Sequence, residues 1–178
     1  MNLKSYSLII LVAGSMLVTN VFASGHVKHY NDPLRKTFIS NPKQLPDYSF
    51  QQALRSQPVW KNFLSENGSW NVIFNENSGM PHRAFGTPVS VPGADARSTA
   101  ENFIGNQLRE FQVPFSDLQF RSVSTNSKYH YVNYVQYYQG LEVLFSNVQV
   151  KMTHDYRVNQ FALDCFKSIA IRITPSIN

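Results

Sequence analysis

Apolar and polar residues alternate with a period of two along the stretch from Lys128 to Ala162. The first run, Lys128–Tyr138, is rich in aromatic and β-branched residues, which are typical of strands. Gln139-Gly140 follows, and glycine readily adopts the positive φ that tight hairpin turns require. Two further runs complete the stretch. The pattern predicts three consecutive antiparallel strands.

The phase of this alternation changes within the second run, which extends from Leu141 to Met152. Its apolar residues fall on two faces: Leu141, Val143 and Phe145 share one, and Val148, Val150 and Met152 share the other. A shift of one residue moves every following side chain to the opposite face of a strand. We therefore predict a β-bulge near Ser146-Asn147, where the phase changes.

Shorter strand patterns precede this stretch. Trp70–Phe74 and His82–Val89 are predicted to form a hairpin, because the Asn75–Gly79 segment between them is rich in turn residues. Leu118–Val123 predicts a further strand, which leads into the long hairpin.

Two short amphipathic helices are predicted before the first strand. Asp47 is a suitable N-cap for a helix that carries Phe50 and Leu54. Ser56, followed two residues later by Pro58, indicates the start of a second helix, because proline is favoured in the first helical turn. The apolar residues of this second helix are Trp60, Phe63 and Leu64. We expect both apolar faces to pack on the sheet.

The clearest helical pattern lies between the first hairpin and the later strands. It begins at Asp95 or at Ser98, which forms a Ser-x-x-Glu capping sequence with Glu101. Its apolar stripe consists of Ala100, Phe103, Ile104, Leu108 and Phe111. The order of elements predicts an α+β fold, in which a curved antiparallel sheet, arranged as a β-meander, packs on one principal helix and is preceded by short helices.

The N-terminal residues have the pattern of a secretory signal. Lys4 precedes an apolar run, Leu8–Val18, and small residues then predict cleavage between Ala23 and Ser24. An uncleaved anchor is the alternative, but the run is short compared with the roughly 20 residues that a spanning helix needs. We therefore expect a secreted or periplasmic protein without membrane association after signal removal.

Composition and charge are those of an ordinary globular protein, with 43% apolar and 15% charged residues among 178. Removing Lys4 with the signal leaves 15 basic and 11 acidic residues, a formal charge of +4. This excess does not indicate a nucleic-acid partner. A tyrosine cluster beside Lys128, Lys151 and Arg157 could stack bases, but cross-strand packing is the simpler interpretation. The cluster comprises Tyr129, Tyr131, Tyr134, Tyr137 and Tyr138.

Cys165 is the only cysteine, which excludes an intrachain disulfide. We predict that it is a small buried apolar residue on the last strand, with a reactive thiol or an intermolecular bridge as the alternatives. His26 and His29 form a His-x-x-His pattern that suits a metal site on a helix. Two solvated histidines near a new N-terminus are the simpler interpretation.

Sequence motifs for catalysis are missing. A zinc peptidase of the His-Glu-x-x-His type uses two imidazoles to bind the metal and a glutamate to activate water. No histidine of this chain is followed by glutamate. The chain also lacks a Gly-x-Ser-x-Gly elbow, a phosphate-binding glycine loop and a dinucleotide fingerprint. We therefore predict a protein without catalytic activity, metal or cofactor.

Several segments together resemble one protein family. The strand-turn-strand core of the fungalysin/thermolysin propeptide (FTP) domain is similar to Gln136-Tyr-Tyr-Gln-Gly-Leu-Glu-Val143, followed by Val148-Gln-Val-Lys-Met152 and Val158. The hairpin and Pro-x-Arg element of bacterial members resemble Trp70-Asn-Val-Ile-Phe74 and Ser78-Gly-Met-Pro-His-Arg-Ala-Phe-Gly86. The resemblance covers roughly residues 49 to 178.

Domains of this family precede secreted zinc metallopeptidases, so the resemblance implies a function. The chain would assist folding of a cognate peptidase in cis and hold it inactive until cleavage, and zinc would belong to the peptidase domain alone. The candidate contact is a hairpin that contains Gln136, Tyr137, Tyr138, Gly140 and Val143. These residues could instead belong to the core. A free-standing secreted binding or protease-inhibitor protein is the alternative function.

These interpretations give the chain five parts. They are a signal peptide at 1–23, a flexible lead-in at 24–46, short helices at 47–69, a propeptide-like α+β domain at 70–168, and the start of a truncated following module at 169–178. The last part rests on the resemblance, because a similar Pro-Ser-Ile segment opens the next module in the family.

The chain departs from the family pattern at His154-Asp155-Tyr156-Arg157, where Asp-Gly or Asn-Gly is usual. A left-handed conformation costs a residue other than glycine about 1 kcal/mol or more. We therefore expect a different type of turn at this position.

Overall fold

The structure is a computed structural model that describes residues 45–171. The predicted signal peptide, with its cleavage between Ala23 and Ser24, lies outside the described residues. His26, His29 and most of the predicted lead-in at 24–46 also lie outside them, as does the part of the predicted following module from residue 172 onward.

Over the described residues the chain forms three α-helices and seven strands. The helices are α1 (Tyr48–Arg55), α2 (Pro58–Asn67) and α3 (Ala96–Asn102). The strands are β1 (Trp70–Phe74), β2 (Pro81–Ser90), β3 (Leu118–Thr125), β4 (Tyr129–Tyr138), β5 (Leu141–Glu142), β6 (Asn147–Thr153) and β7 (Arg157–Asp164). A π-helical turn and two 3-10 turns follow α3, at Phe103–Gln107, Arg109–Phe111 and Phe115–Asp117.

The seven strands form one antiparallel sheet in the order β1-β2-β7-β6-β4-β3, with β5 paired to β4. Strands β3, β4, β6 and β7 follow one another as a meander, and the β1–β2 hairpin joins the sheet through β7. The predicted α+β fold, with a curved antiparallel sheet and short preceding helices, is confirmed.

Helix α1 begins as predicted, because the Asp47 side chain accepts a hydrogen bond from the Phe50 N–H at 3.0 Å. The exposed fraction of Phe50 is 44%, however, and Gln51 is buried in its place beside Leu54. The predicted start of α2 at Ser56 is wrong. Ser56 ends α1, with its hydroxyl donating to a carbonyl of the preceding turn, and α2 begins at Pro58.

Of the two predicted starts for α3, the structure has the earlier. The Asp95 carboxylate accepts a hydrogen bond from the Ser98 N–H at 2.7 Å, and the Ser98 hydroxyl bonds back to the Asp95 N–H. Glu101 does not take part in this capping box and pairs instead with Arg97 at 2.8 Å. All five residues of the predicted apolar stripe are buried, including those in the turns that follow α3.

The core is an aromatic cluster centred on Phe161 of β7. The ring of Phe161 lies 5.4 Å from that of Phe63 on α2, 5.5 Å from Trp70 on β1, 5.6 Å from Phe103 and 6.4 Å from Phe111. Aromatic side chains bury large areas and prefer tilted or edge-to-face contacts of this kind. Helix α2 therefore shares one core with the sheet, and α1 contributes Leu54 to the same core.

The two edge strands of the sheet are protected in different ways. At β1, the Gln51 side-chain amide bonds to both the N–H and the C=O of Phe74, each at 2.9 Å, and Arg55 donates to the Val72 carbonyl at 3.0 Å. At β3, the register shifts between Phe120 and Ser122, as in a bulge. Bulges and covered edges both discourage pairing with another chain.

The expectation of a different turn at His154–Arg157 is wrong, because Tyr156 adopts the left-handed conformation with φ 58°. Its N–H donates to the Thr153 carbonyl at 2.9 Å, and its ring lies 5.4 Å from the ring of His130. Tyr156 is also packed against the core. These tertiary contacts offset the local cost of the left-handed backbone.

We predict that Gln51→Met lowers the free energy of unfolding by about 1–3 kcal/mol, because it leaves the buried N–H and C=O of Phe74 without partners. Urea denaturation measures this change. The matched control is Gln52→Met, at an exposed position of the same helix, which should change stability by no more than about 0.5 kcal/mol. Equal effects of the two substitutions would contradict the role of the Gln51 amide.

Candidate functional site

The predicted turn at Gln139-Gly140 connects β4 to β5. Both residues have positive φ, 48° for Gln139 and 84° for Gly140, which is the backbone geometry of a tight two-residue hairpin turn. Tyr138 pairs with Leu141 and Tyr137 with Glu142 on either side of it. The sequence identified the glycine, but the left-handed glutamine beside it gave no signal.

The predicted second strand is divided into two strands, where the sequence predicted a single strand with a bulge. Strand β5 ends at Glu142, residues 143–146 leave the sheet, and β6 begins at Asn147. The Val143 N–H still donates to the Gln136 carbonyl, and the Ser146 hydroxyl accepts from the Gln136 N–H at 2.9 Å. The serine thus replaces a missing strand partner, and Phe145 adopts a left-handed conformation with φ 63°.

Gln136, a predicted contact residue, is only 1% exposed and is therefore not available to a partner. Its side-chain amide donates to the Phe166 carbonyl at 2.8 Å and accepts from the Phe166 N–H at 2.9 Å. One side chain thereby makes the two backbone hydrogen bonds that a residue of a neighbouring strand would make. We refer to this arrangement as the Gln136 clamp; it holds the segment after β7 against β4.

An apolar groove of about 460 Å³ lies between the hairpin and this clamped segment. It is lined by Tyr138, Leu141, Glu142, Val143, Leu144, Phe166, Ser168, Ile169, Ala170 and Ile171. Several of its apolar side chains face solvent, since the exposed fractions are 58% for Leu141, 68% for Leu144 and 63% for Ile171. Contiguous apolar surface of this kind typically marks a binding site.

The five residues predicted from the hairpin therefore have different places. Tyr138 and Val143 line the groove, Gly140 forms the turn and Gln136 clamps one wall. Tyr137 lies beside the groove, where its hydroxyl is 3.5 Å from the carboxylate of Glu142. The same carboxylate is 3.5 Å from Arg121, so the charge at this margin is partly balanced.

Six of the ten residues that line the groove lie outside the predicted contact hairpin, Gln136–Val143. Leu144 could have been noticed, because it is apolar and falls in phase with Val148 and Val150 although it precedes the predicted phase change. Phe166 and Ile169–Ile171 had no such signal, since their position depends on the clamp from a residue thirty positions earlier.

Cys165 directly follows β7 and is 2% exposed. Burial, with a smaller contribution from the neighbouring Asp164, raises the pKa of its thiol to about 12. The prediction of a small buried residue is confirmed, although the cysteine lies one position beyond the last strand. Neither alternative, a reactive thiol or an intermolecular bridge, fits a buried thiol that stays protonated.

The tyrosine cluster divides between the two faces of the sheet. The Lys151 Nζ lies 3.8 Å from the ring of Tyr129 and 5.9 Å from that of Tyr131, so a lysine of this chain already covers these rings. Tyr134 is buried against Phe120, and burial raises the pKa of its hydroxyl. These contacts are the cross-strand packing that the simpler interpretation expected.

Residues 45–171 contain no group of three or more His, Cys, Asp or Glu side chains that could hold a metal ion. Within the same residues, no helix is both long enough and apolar enough to cross a membrane.

Comparison with known proteins assigns no family or function to this chain. No family model matches the chain, and no curated protein matches it. Among solved structures, the Bacillus megaterium YpeB C-terminal domain is similar, with a TM-score of 0.41 and 13% sequence identity over 76% of this chain and 70% of that chain. A similarity of this size supports no conclusion about family or function.

We predict that Gln136→Met destabilises the domain by about 1–3 kcal/mol, because it removes two hydrogen bonds between the buried Gln136 amide and the Phe166 backbone. Amide exchange at Phe166 should accelerate more than exchange in the core of β7. Gln119→Met, at an exposed position of β3, is the control and should leave both quantities unchanged. Unchanged exchange at Phe166 in the Gln136 variant would contradict the clamp.

We predict that iodoacetamide alkylates Cys165 in the folded protein at pH 8 far more slowly than in urea-unfolded protein, because only the thiolate reacts and burial restricts access. Mass spectrometry of timed samples measures both rates. Similar rates in the two states would show that the thiol is accessible in the fold.

Proposed function

We propose that this chain is a non-catalytic pro-region of a secreted metallopeptidase, and that the apolar groove contacts the peptidase. The exposed apolar groove is the observation that supports this proposal. Leu141, Leu144 and Ile171 are largely exposed in it, and a folded exported domain that presents such surface to water is expected to bury it against a partner.

The groove is also fixed in shape, which favours binding. Its two walls come from different parts of the chain, and the Gln136 clamp joins them through two hydrogen bonds to the backbone of Phe166. A preorganised surface loses less conformational entropy on binding than a mobile one. An aromatic or aliphatic side chain of the peptidase would fit in a groove of this volume.

The position of the groove supports a partner in cis. Phe166 and residues 168–171 line it, and the sequence continues directly from Ile171. A peptidase joined through this segment would be held close to the groove, where tethering gives an effective concentration of up to about millimolar. Zinc and the catalytic groups would belong to that peptidase.

The second candidate function is a free-standing secreted binding or protease-inhibitor protein. The same groove supports it, because exposed apolar surface serves a separate partner as well as a tethered one. The two candidates differ in whether a peptidase is encoded in the same reading frame. Translation of the genomic DNA downstream of Asn178 separates them.

We predict that this reading frame continues into a domain with His-Glu-x-x-His. The separately produced chain should then inhibit that peptidase domain and raise its refolding yield. Leu144→Asp should weaken inhibition by about tenfold or more, because a charge in the groove must be desolvated on binding. Activity assays across a titration of the chain measure the inhibition constant.

The matched control is Val123→Asp, at a partly exposed position of β3 away from the groove residues. It should inhibit like the unmodified chain. Equal inhibition by the two variants would contradict the groove as the contact. A stop codon directly after Asn178 would contradict the role in cis and favour the second candidate.

A further inference from the structure

Two turns meet at the end of the sheet where β4 begins. One turn joins β3 to β4 and contains Asn126; the other joins β6 to β7 and contains His154. Strand β4 has ten residues between this end and the hairpin of the groove, a distance of about 30 Å. Two histidines lie here: His130 near the start of β4, and His154 in the β6–β7 turn.

His130 and His154 contact each other directly. Their ring centroids are 4.7 Å apart in an edge-to-face arrangement, and Tyr156 lies 5.4 Å from His130 on another side. The Nδ1 of His130 is 2.8 Å from the Thr125 hydroxyl, and the Nε2 of His154 is 3.0 Å from the Asn126 carbonyl. The hydrogen bond between His154 and Asn126 therefore joins the two turns directly.

These hydrogen bonds remain possible when the rings are protonated. A carbonyl oxygen only accepts, so Nε2 of His154 must already donate to Asn126 in the neutral ring. The Thr125 hydroxyl can either donate to Nδ1 of His130 or accept from it. Protonation therefore keeps the bonds and adds positive charge, and its main consequence is repulsion between two adjacent imidazolium rings.

The charged groups nearby do not offset that repulsion. Asp155 is the acidic residue of the β6–β7 turn, and its carboxylate is bound by Thr153 and by Arg157, the latter at 2.7 Å. On β6, Lys151 covers Tyr129 of β4, and Lys128 lies in the β3–β4 turn. On β3, Arg121 is paired with Glu142.

We propose that His130 and His154 form an acid-sensitive latch between the two turns, closed when at most one ring is protonated and released when both are. The pair then takes up its protons in two separate steps, because the first charge opposes the second. Release loosens the β3–β4 and β6–β7 turns and leaves the rest of the sheet in place.

The direction of the titration agrees with the latch. Partial burial lowers the pKa of His130, and the neighbouring His154 lowers it further. A histidine with a lowered pKa in the folded state stabilises the fold above its unfolded pKa of about 6.5, and this stabilisation is lost as the pH falls through the folded value. The latch is thus closed near neutral pH and opens in mild acid.

Amide hydrogen exchange at the two turns tests the latch in the unmodified chain. After correction for the intrinsic pH dependence of exchange, the turn amides should exchange about three- to tenfold faster at pH 5 than at pH 7.5, as expected for the repulsion of two partly exposed charges. NMR titration of the imidazole resonances should show two separated steps. A single common step, or no acceleration, would overturn the proposal.

Two variants separate the latch from a general response to acid. His154→Gln retains a side-chain donor for the Asn126 carbonyl but cannot become charged, so it should abolish the acceleration while keeping the turns closed. His82→Gln removes a histidine whose Nδ1 pairs with Asp164 at 2.8 Å, and it should leave the acceleration unchanged. Acceleration that persists in His154→Gln would also overturn the proposal.

Discussion

The need of backbone N–H and C=O groups for hydrogen-bond partners determines the structure at two places in this sheet. At β1 and again after β7, the backbone partner that a neighbouring strand would supply is absent within the described residues. A buried glutamine amide takes its place each time: Gln51 pairs with Phe74, and Gln136 pairs with Phe166. An amide side chain has one donor group and one acceptor in the spacing that a strand residue offers, which explains why the same residue type occurs twice.

The candidate groove depends on the same constraint. Residues 143–146 leave the sheet, which exposes Leu144, and the Ser146 hydroxyl satisfies the Gln136 N–H that they abandon. The side chain of Gln136 bonds to the other wall of the groove, where it holds the backbone of Phe166. One buried residue, Gln136, therefore holds both walls of the exposed groove through its backbone and side-chain hydrogen bonds.

Local patterns were sufficient to predict most of the elements. Period-two alternation located β1, β2, β4 and β7, and the apolar stripe after Asp95 was entirely buried. The errors occurred where a distant contact outweighed a local preference. Phe50 is more exposed than its polar neighbour Gln51 because the amide is needed at β1, and Tyr156 is left-handed because its ring packs beside His130. The clamp and the half of the groove that it positions depend on such distant pairings, and no local pattern encodes them.

The place of β7 in the sheet has a consequence for the order in which this chain can fold. Strand β7 is the last of the described strands in sequence, yet it lies between β2 and β6 and carries Phe161, the centre of the aromatic cluster. The β1–β2 hairpin has no other route into the sheet. Pairings of such high sequence separation form slowly, because the long intervening loop must close first. During synthesis, the β1–β2 hairpin therefore cannot join the other strands of the sheet until almost the whole described chain has emerged.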